Sequence, residues 1–514
     1  MKIKFFWFTI FLSFGPQSAC LAQGLNHTFL LGYDIGLFDT NVTSTKARLN
    51  FTSGSVNIIP ETRKMAFLST QGTISDQNGN LLISSNGCWI ANASGDTMLN
   101  GTGLNPGTFT DDWDDPVSGL PIPNGNLILP FPGDSSKYIL FHQTANYNAN
   151  LRSTELYYSI IDMNLDSGLG GVILKNQIAI QNIFSWGIAA CKHANGRDWW
   201  IVILRDNTYK IKKILLTQDG IASITTQTLD SLGPVPSQMV SVCTFSPDGT
   251  KFAYTYGTAG PNSYHDVRIF NFDRCTGEFT TLGFVPFYND NSPGFGLSFS
   301  STSKFLYHSS FHSIYQLNTD TTDIAASIDT VALNDGYYSP YPPFQTDFAF
   351  MYLAANGKIY LSSGNGVIDL HYINYPDSAG LACDVQMHSL HLPCFSARGS
   401  VNHPNYYLGP VIGSVCDSLV HVGINEDKRH DFHFSVSPNP VSDGFLKIIY
   451  LLPQNQTGFF EIFDISGRMV NKMNLPPWST LQQIDISNLK PGMYNAIITS
   501  ASHKESKKIV ILPN

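Results

Sequence analysis

Carboxylates are concentrated at one point of this chain. Residues 111–115 read Asp-Asp-Trp-Asp-Asp and are followed by proline. Carboxylate oxygens at alternate positions of a tight turn suit a hard cation, so Asp112 and Asp114 are candidate calcium ligands. The central Gly and distal Glu of an EF-hand loop are absent. The simpler interpretation is a solvated loop that exposes Trp113, and an aromatic ring beside carboxylates also suits a sugar.

A second candidate site is aromatic. Residues 334–344 contain three tyrosines and three prolines, and so much proline does not fit a strand interior. We predict a loop at the rim of the fold, with Tyr337, Tyr338 and Tyr341 as ligand-contacting residues. Aromatic doublets elsewhere, such as Trp199-Trp200, fit strands that place one ring on each side of a sheet, which predicts core packing.

The histidines do not form a recognisable metal site. His308 and His312 are four apart in a strand-like segment, and His388 and His391 lack a third ligand nearby. Side chains four apart share a face in a helix, but the local pattern here is that of a strand. Neither the G-x-S-x-G motif nor the H-E-x-x-H motif occurs. The sequence therefore favours a protein without catalytic activity but leaves an enzyme open.

A polysaccharide-cleaving enzyme would need two carboxylates about 5 to 9 Å apart. The acids compatible with loops are Asp34, Asp39, Asp114, Asp266 and Asp347. Nothing in their spacing pairs any two of them. A hydrolase or lyase with acids on loops is therefore the alternative interpretation.

Composition limits the partners. The formal net charge is −9 and the isoelectric point is about 5.8, which argues against nucleic acid and anionic membranes. Charged residues make up 13%, well below the roughly 25% of an average domain. The eight cysteines form no C-x-x-C pair, so zinc is not expected. If the chain is exported, Cys383 and Cys394 are the expected disulfide pair.

A turn followed by two strands recurs six times, which predicts an all-β fold. The turns lie near Gly79, Ser135, Gly196, Gly249, Ser303 and Gly357. A period of about fifty residues built from short strands indicates β-propeller blades. The length fits about seven blades, with six or eight as alternatives. We expect the seventh blade to be shared between residues near 29–38 and residues near 401–408, which closes the ring.

The amino terminus has the pattern of a secretory signal peptide. Lys2 and Lys4 precede an apolar run from Phe5 to Phe14, and small residues end at Ala22. Ten apolar residues are too few to span a bilayer, which needs roughly twenty. A membrane anchor and a lipoprotein modified at Cys20 are the alternatives. No later segment is long and apolar enough to span, so we expect no transmembrane segment in the mature chain.

The carboxyl-terminal eighty residues alternate between apolar and polar positions and are punctuated by turns, as in a small β-sandwich. Their ordered motif residues are Pro438, Asn439, Pro440, Gly467, Arg468, Pro491, Gly492, Tyr494, Lys507 and Lys508. This pattern resembles the C-terminal sorting domain of the type IX secretion system of Bacteroidetes. The predicted segments are a signal peptide at 1–22, a β-propeller at 23–415, a linker at 416–433 and the sorting domain at 434–514.

The central part also resembles a known group. The stretches FSPDGTKFAY and RIFNFDRCTGEF look like the WD-repeat-like blades of exported bacterial propellers. The order of segments resembles a group of Bacteroidetes surface propellers that carry type IX sorting domains. The resemblance implies passage through the general secretory translocon and the type IX machinery, and then removal of the sorting domain. The function expected is binding or adhesion to a glycan or protein. The resemblance supplies no catalytic residues and no cofactor.

Overall fold

The computed structural model describes the chain in ranges. They are 24–33, 46–53, 55–114, 118–235, 242–258, 264–288, 290, 292, 294–340, 343–417, 432–442, 444–452, 456–476, 481–501 and 503–512. The predictions for the signal peptide, Asp34, Asp39 and Tyr341, and for most of the linker, concern residues outside these ranges.

The first two sheets have three strands each, in the orders β1-β2-β3 and β4-β5-β6. Their strands are β1 (Thr28–Leu31), β2 (Lys46–Ser53), β3 (Ser55–Glu61), β4 (Gly72–Ser75), β5 (Leu81–Ser85) and β6 (Ile90–Ala91). A long connection after β6 contains a short helix, α1 (Thr108–Trp113). Phe109 and Trp113 are four apart, so both lie on the helix face that packs inward.

The next sheet has seven antiparallel strands in sequence order. They are β7 (Asn126–Pro130), β8 (Lys137–Gln143), β9 (Ser153–Asp162), β10 (Gly171–Lys192), β11 (Trp199–Arg205), β12 (Lys210–Thr217) and β13 (Gly220–Thr228). The long strand β10 pairs with β9 as far as Phe184 and with β11 from there on. Its register shifts beside Gly187, where φ is 107°. One strand therefore serves two consecutive four-stranded units.

Three separate four-stranded sheets follow, each in sequence order. The first two contain β14 (Cys243–Phe245), β15 (Lys251–Thr258), β16 (Tyr264–Phe272), β17 (Phe279–Phe287), β18 (Gly294–Phe299), β19 (Phe305–Ser310), β20 (Ser313–Asn318) and β21 (Asp329–Leu333). The third contains β22 (Met351–Leu353), β23 (Ile359–Leu361), β24 (Val367–Ile373) and β25 (Val385–Ser396). Single 3₁₀ turns span Tyr147–Ala149, Asp166–Gly168, Ala325–Ser327 and Gly380–Cys383.

The repeated turns predicted from the sequence are confirmed. Five of the six predicted turn residues have positive φ, namely Gly79, Gly196, Gly249, Ser303 and Gly357. Each donates its N–H to the carbonyl three residues earlier, at 2.8–3.0 Å. Glycine suits this conformation because it has no Cβ to clash. The turns join the first and second strands of successive units.

Neighbouring sheets share hydrophobic cores, and the last sheet shares one with the first. Phe29 and Phe51 of the first sheet pack against Tyr352 and Tyr360 of the last. Core clusters also join each of the intervening pairs of units. The result is an all-β, propeller-like succession of sheets.

The segment after β25 runs between the first strands of these units. The side-chain amide of Asn402 donates to the carbonyls of Asn126 and Ile188, and His403 lies between Thr73 and Tyr352. Residues 401–408 belong to no strand, so the prediction that they share a blade with residues near 29–38 is wrong in that they supply no strand to it. Side-chain hydrogen bonds to several units hold this segment, instead of backbone pairing with one strand. We call residues 400–408 the axial segment.

A disulfide joins Cys275 to Cys416, with Cα atoms 5.7 Å apart and a sequence separation of 141. The predicted bond between Cys383 and Cys394 is wrong, because both thiols are free and buried in different cores. Cys394 lies near the end of β25 and Cys383 just before its start, so the two thiols are at opposite ends of this strand. Burial raises the pKa of Cys394 to about 12.

The carboxyl-terminal residues form two packed sheets around one core, as predicted for a small β-sandwich. The strands are β26 (His433–Ser437), β27 (Phe445–Leu451), β28 (Gly458–Phe463), β29 (Met469–Leu475), β30 (Leu481–Asp485), β31 (Gly492–Ser500) and β32 (His503–Ile511). The sheet orders are β26-β27-β30 and β29-β28-β31-β32. Strand β30 lies against β2, and the Gln482 amide donates to the Ala355 carbonyl.

We predict that replacing Cys275 and Cys416 together by serine lowers the free energy of unfolding by about 2–4 kcal/mol, because the disulfide restricts a long loop in the unfolded chain. Chemical denaturation of the oxidised wild type and of the variant measures the difference. A reductant should lower the stability of the wild type and leave the variant unchanged. Equal stability of oxidised and reduced wild type would contradict the prediction.

A second prediction concerns acid stability. Burial lowers the pKa of His142 to about 3 and that of His403 to about 4, whereas the unfolded value is about 6.5. The unfolded chain therefore binds more protons below pH 6.5, and stability falls as the pH decreases from 6.5 towards 4. In that window, each such histidine lowers the free energy of unfolding by up to about 1.4 kcal/mol for every unit by which the pH falls.

Denaturation curves between pH 7 and pH 4 test this. The His142→Gln variant should show a shallower loss of stability, by about one proton. The exposed His312 offers a matched control, and His312→Gln should keep the slope of the wild type. An unchanged slope in His142→Gln would count against a neutral buried imidazole.

Candidate functional site

Because the strands of each sheet are antiparallel, their ends alternate between two faces of the molecule. We call the face with the six repeated turns the turn face. The opposite face carries the turns between second and third strands and the connections from one unit to the next. We call it the aromatic face.

Exposed aromatic rings are concentrated on that face. Among the described residues of 24–417, the large aromatic side chains that are more than a third exposed are Tyr147, Tyr288, Tyr338, Phe344 and Tyr375. The first four lie in connections of the aromatic face, and only Tyr375 lies on the turn face. The turn face also carries the disulfide and the Asn195–Pro410 bridge where the axial segment ends.

The first aromatic site is built around α1. Phe109 is buried among Cys88, Leu120 and Ile122, and the Thr110 hydroxyl bonds that of Thr144 at 2.8 Å. These contacts fix the helix against the connection between β8 and β9. Asp112 then accepts a 2.7 Å hydrogen bond from the Tyr147 hydroxyl, which raises the tyrosine's pKa.

The predicted solvated loop is therefore a helix, and Trp113 is half-buried rather than fully exposed. Its ring packs on the same apolar cluster, because it lies one turn after Phe109. Asp112 and Asp114 are two positions apart, which separates helical side chains by about 200°. In the described residues, no group of three or more His, Cys, Asp or Glu side chains is placed to hold a metal ion. Calcium binding stays a prediction.

The predicted rim loop is a hairpin-like connection between β21 and β22. Tyr338 forms a bridge with Gln345 and exposes its ring. The Tyr337 ring instead stacks on His388 with centroids 4.0 Å apart, so one of its faces is covered. His388 Nε2 also lies 2.9 Å from Asp335, and this hydrogen bond lowers the pKa of Asp335.

Tyr147 and Tyr288 are exposed rings that were not predicted from the sequence. Tyr147 lies in a polar Asn-rich stretch, NYNAN, where a lone aromatic residue is a usable signal for an exposed ring. Tyr288 follows β17 and packs beside Tyr264, with ring centroids 5.7 Å apart. No spacing rule links either tyrosine to the acidic cluster at 111–115.

The loop acids proposed for a hydrolase have other roles where they are described. Asp266 lies in β16, fully buried, and its carboxylate pairs with Arg268 and accepts the Tyr264 hydroxyl. Asp347 accepts hydrogen bonds from the Ser363 hydroxyl and the Gly364 N–H, and burial raises its pKa. Asp114 lies exposed at the end of α1.

The histidine pairs do not converge on a common point. His308 is buried in β19 with Nδ1 bonded to the Gly296 carbonyl, whereas His312 is exposed in the following turn. His391 bonds the buried carboxylate of Asp369, whereas His388 bonds Asp335. The rings of His308, His388 and His391 each have a protein partner of their own.

The sorting-motif residues hold the last strand of the carboxyl-terminal sandwich. The Asn439 amide donates to the Lys508 carbonyl at 2.8 Å and its oxygen accepts the Val510 N–H at 2.9 Å. Gly467 has φ of 81° in a turn closed by Asp464 and Arg468. The Tyr494 hydroxyl donates to the Lys490 carbonyl. Pro491 and Gly492 precede and begin β31, and Lys507 and Lys508 lie on β32.

Residues 435–512 match the family described as "Secretion system C-terminal sorting domain". The protein is thus exported to the cell surface or secreted, through the type IX secretion machinery. None of the helices in the described ranges has the length and apolar character needed to cross a bilayer. Comparison with curated proteins finds no match.

Solved structures give distant likenesses. A Bacteroides fragilis NCTC 9343 protein, provisionally assigned as a 6-phosphogluconolactonase, has a TM-score of 0.41 and 11% identity, covering 69% of this chain and 92% of its own. The Swd1 β-propeller domain of Myceliophteria thermophila has a TM-score of 0.35 and 10% identity, covering 65% and 96%. These values are too low to carry any argument about function.

We predict that Asn439→Ala lowers the yield of exported protein, because two hydrogen bonds that hold β32 are lost, at about 1 kcal/mol each. The exported and cell-retained fractions are compared by immunoblot in the native host. Asn474→Ala, an exposed change in β29, serves as the matched control and should export normally. Equal export of Asn439→Ala and the wild type would contradict this role.

Proposed function

We propose that this protein is a seven-bladed β-propeller, exported to the cell surface or secreted, whose aromatic face binds a glycan or a protein. Two three-stranded sheets, the two halves of the seven-stranded sheet and three four-stranded sheets would supply the blades. The shared core between first and last sheets supports a closed ring.

The proposed segments are a signal peptide at 1–22, the propeller at 23–415, a linker at 416–433 and the sorting domain at 434–514. The general secretory translocon would carry the chain to the periplasm before type IX export. Removal of the sorting domain within the linker would leave the propeller as the mature form. Cys416 would then hold the new carboxyl terminus, since it is bonded to Cys275.

The observation that carries the binding function is the unequal distribution of exposed aromatic rings between the two faces. Aromatic side chains contribute large apolar area at low entropic cost and dominate binding energetics. The turn face is occupied by the disulfide and by the contact between Gln482 and Ala355. The aromatic face is therefore the surface that we assign to the ligand.

The filled axis also favours binding at the face. The cavity beside the axial segment measures only about 90 Å³, which holds a few waters. Ligand pockets for small molecules are usually about 300–1,000 Å³. A ligand would therefore contact the rim and its aromatic side chains rather than enter the centre.

The alternative, a polysaccharide hydrolase or lyase, receives less support. Of its candidate acids, Asp266 is committed to an ion pair and Asp347 to backbone and hydroxyl donors. A catalytic pair needs one carboxylate free to transfer a proton and another free to act as base or nucleophile.

The test uses the purified exported protein on a glycan and polysaccharide array, and on surface proteins of neighbouring cells by cross-linking. We predict that the triple variant Tyr288→Ala, Tyr338→Ala and Phe344→Ala loses at least tenfold in binding, because three exposed rings are removed. Tyr375→Ala, on the turn face, should bind as the wild type does.

Two further measurements, of released oligosaccharide and of binding in EDTA, test for enzyme activity and for a bound cation. Oligosaccharide released from bound polymer would identify an enzyme and overturn the binding-only function. Loss of binding in EDTA would support a cation at residues 111–115. Equal binding by the triple variant and the wild type would remove the aromatic face as the binding surface.

A further inference from the structure

We propose that Tyr147 and Asp112 form a subsite for a neutral glycan, with the Tyr147 ring stacking on a sugar and Asp112 accepting its hydroxyl protons. This inference rests on the proposed binding function and specifies the ligand at one part of the aromatic face.

The Tyr147 ring is exposed but held in place. About half of the residue is open to solvent, at 48%, yet its hydroxyl donates to Asp112 at 2.7 Å. Its ring meets Phe109 edge to face, with centroids 5.2 Å apart. An exposed tyrosine without such contacts would sample several rotamers, and binding would then cost the entropy of ordering it.

The backbone that carries Tyr147 is also constrained. Tyr147–Ala149 form a 3₁₀ turn, and the Asn146 side chain accepts the N–H of Asn148 at 2.9 Å. Asn146 and Arg152 form a β-bridge that closes the connection. The tyrosine is therefore presented on a closed loop whose ends are fixed by β8 and β9.

Asp112 is fixed from the other side. The buried hydrogen bond between Thr110 and Thr144 joins α1 to the same connection, and the Cys88 thiol donates to the Trp113 carbonyl at 3.6 Å. The Asp112 carboxylate and the Tyr147 ring thus come from residues 35 apart in sequence. The packing of α1 against the connection between β8 and β9 holds both in place. A pre-organised ring beside an acceptor is suited to a ligand with an apolar face and hydroxyl groups, which is the chemistry of a sugar.

The negative charge near Tyr147 favours a neutral ligand over an anionic one. Asp111, Asp112 and Asp114 are all exposed, and the nearby cation Arg152 is paired with Asp206 at 2.6 Å. A sulfated or carboxylated glycan would meet carboxylates of the same sign, while Arg152 is already engaged by Asp206. A neutral glycan has no such penalty.

The experiment uses the purified exported protein and immobilised polysaccharides. Neutral probes are dextran, galactomannan, xyloglucan and mannan, and anionic probes are alginate, polygalacturonate and chondroitin sulfate. We expect binding to at least one neutral probe and none to the anionic set. Tyr147→Ala should weaken that binding about tenfold, and Asp112→Asn by a smaller factor, because the amide is a weaker acceptor.

Controls separate binding from folding. Tyr147→Phe keeps the ring and should lose much less than Tyr147→Ala, while Tyr375→Ala should lose nothing. Thermal unfolding of each variant verifies that the fold is retained.

Three outcomes overturn the inference while leaving the proposed function intact. They are preference for anionic probes, neutral-glycan binding that survives Tyr147→Ala but not the triple variant, and protein binding at the aromatic face without any glycan. Binding of any ligand that neither set of aromatic variants weakens would instead overturn the proposed function itself.

Discussion

The constraint on which the rest of this structure depends is the contact of the residues after the last sheet with several of the preceding sheets at once. The axial segment contacts first strands of several units through Asn402, His403 and Tyr406. Beyond it, Arg274 donates to the Gly409 carbonyl and Cys275 bonds Cys416. Each sheet alone has exposed faces and cannot be stable by itself, so a contact that joins many sheets at once makes their packing cooperative.

This contact also distinguishes the two faces of the molecule. Because the axial segment runs towards the repeated turns, the chain leaves the propeller-like part on the turn face, where Pro410 bridges Asn195. The connections of the opposite face can then vary in length without disturbing the contacts of the axial segment. They include the long insertion that holds α1 and the connection that exposes Tyr338, and loops on a rigid scaffold are where binding residues concentrate.

Much of the fold could be predicted from the sequence because its signals are local. The turns at Gly79, Gly196 and Gly249 need positive φ within a few residues, and the sorting motif is a run of turns and strand ends. Contacts between distant segments left no such signal. The pairing of Cys275 with Cys416 spans 141 residues, and the position of residues 401–408 depends on side chains that reach several units.

The candidate site shows the same difference between local sequence signals and contacts of distant residues. The carboxylates of the acidic run were expected in a turn, but residues 108–113 are helical and helical geometry separates Asp112 from Asp114. The residue that gives Asp112 a specific role is Tyr147, 35 positions away, and only the fold brings it to 2.7 Å. Composition can therefore mark an unusually acidic segment. The partner of Asp112 is instead set by the packing of α1 against the connection between β8 and β9.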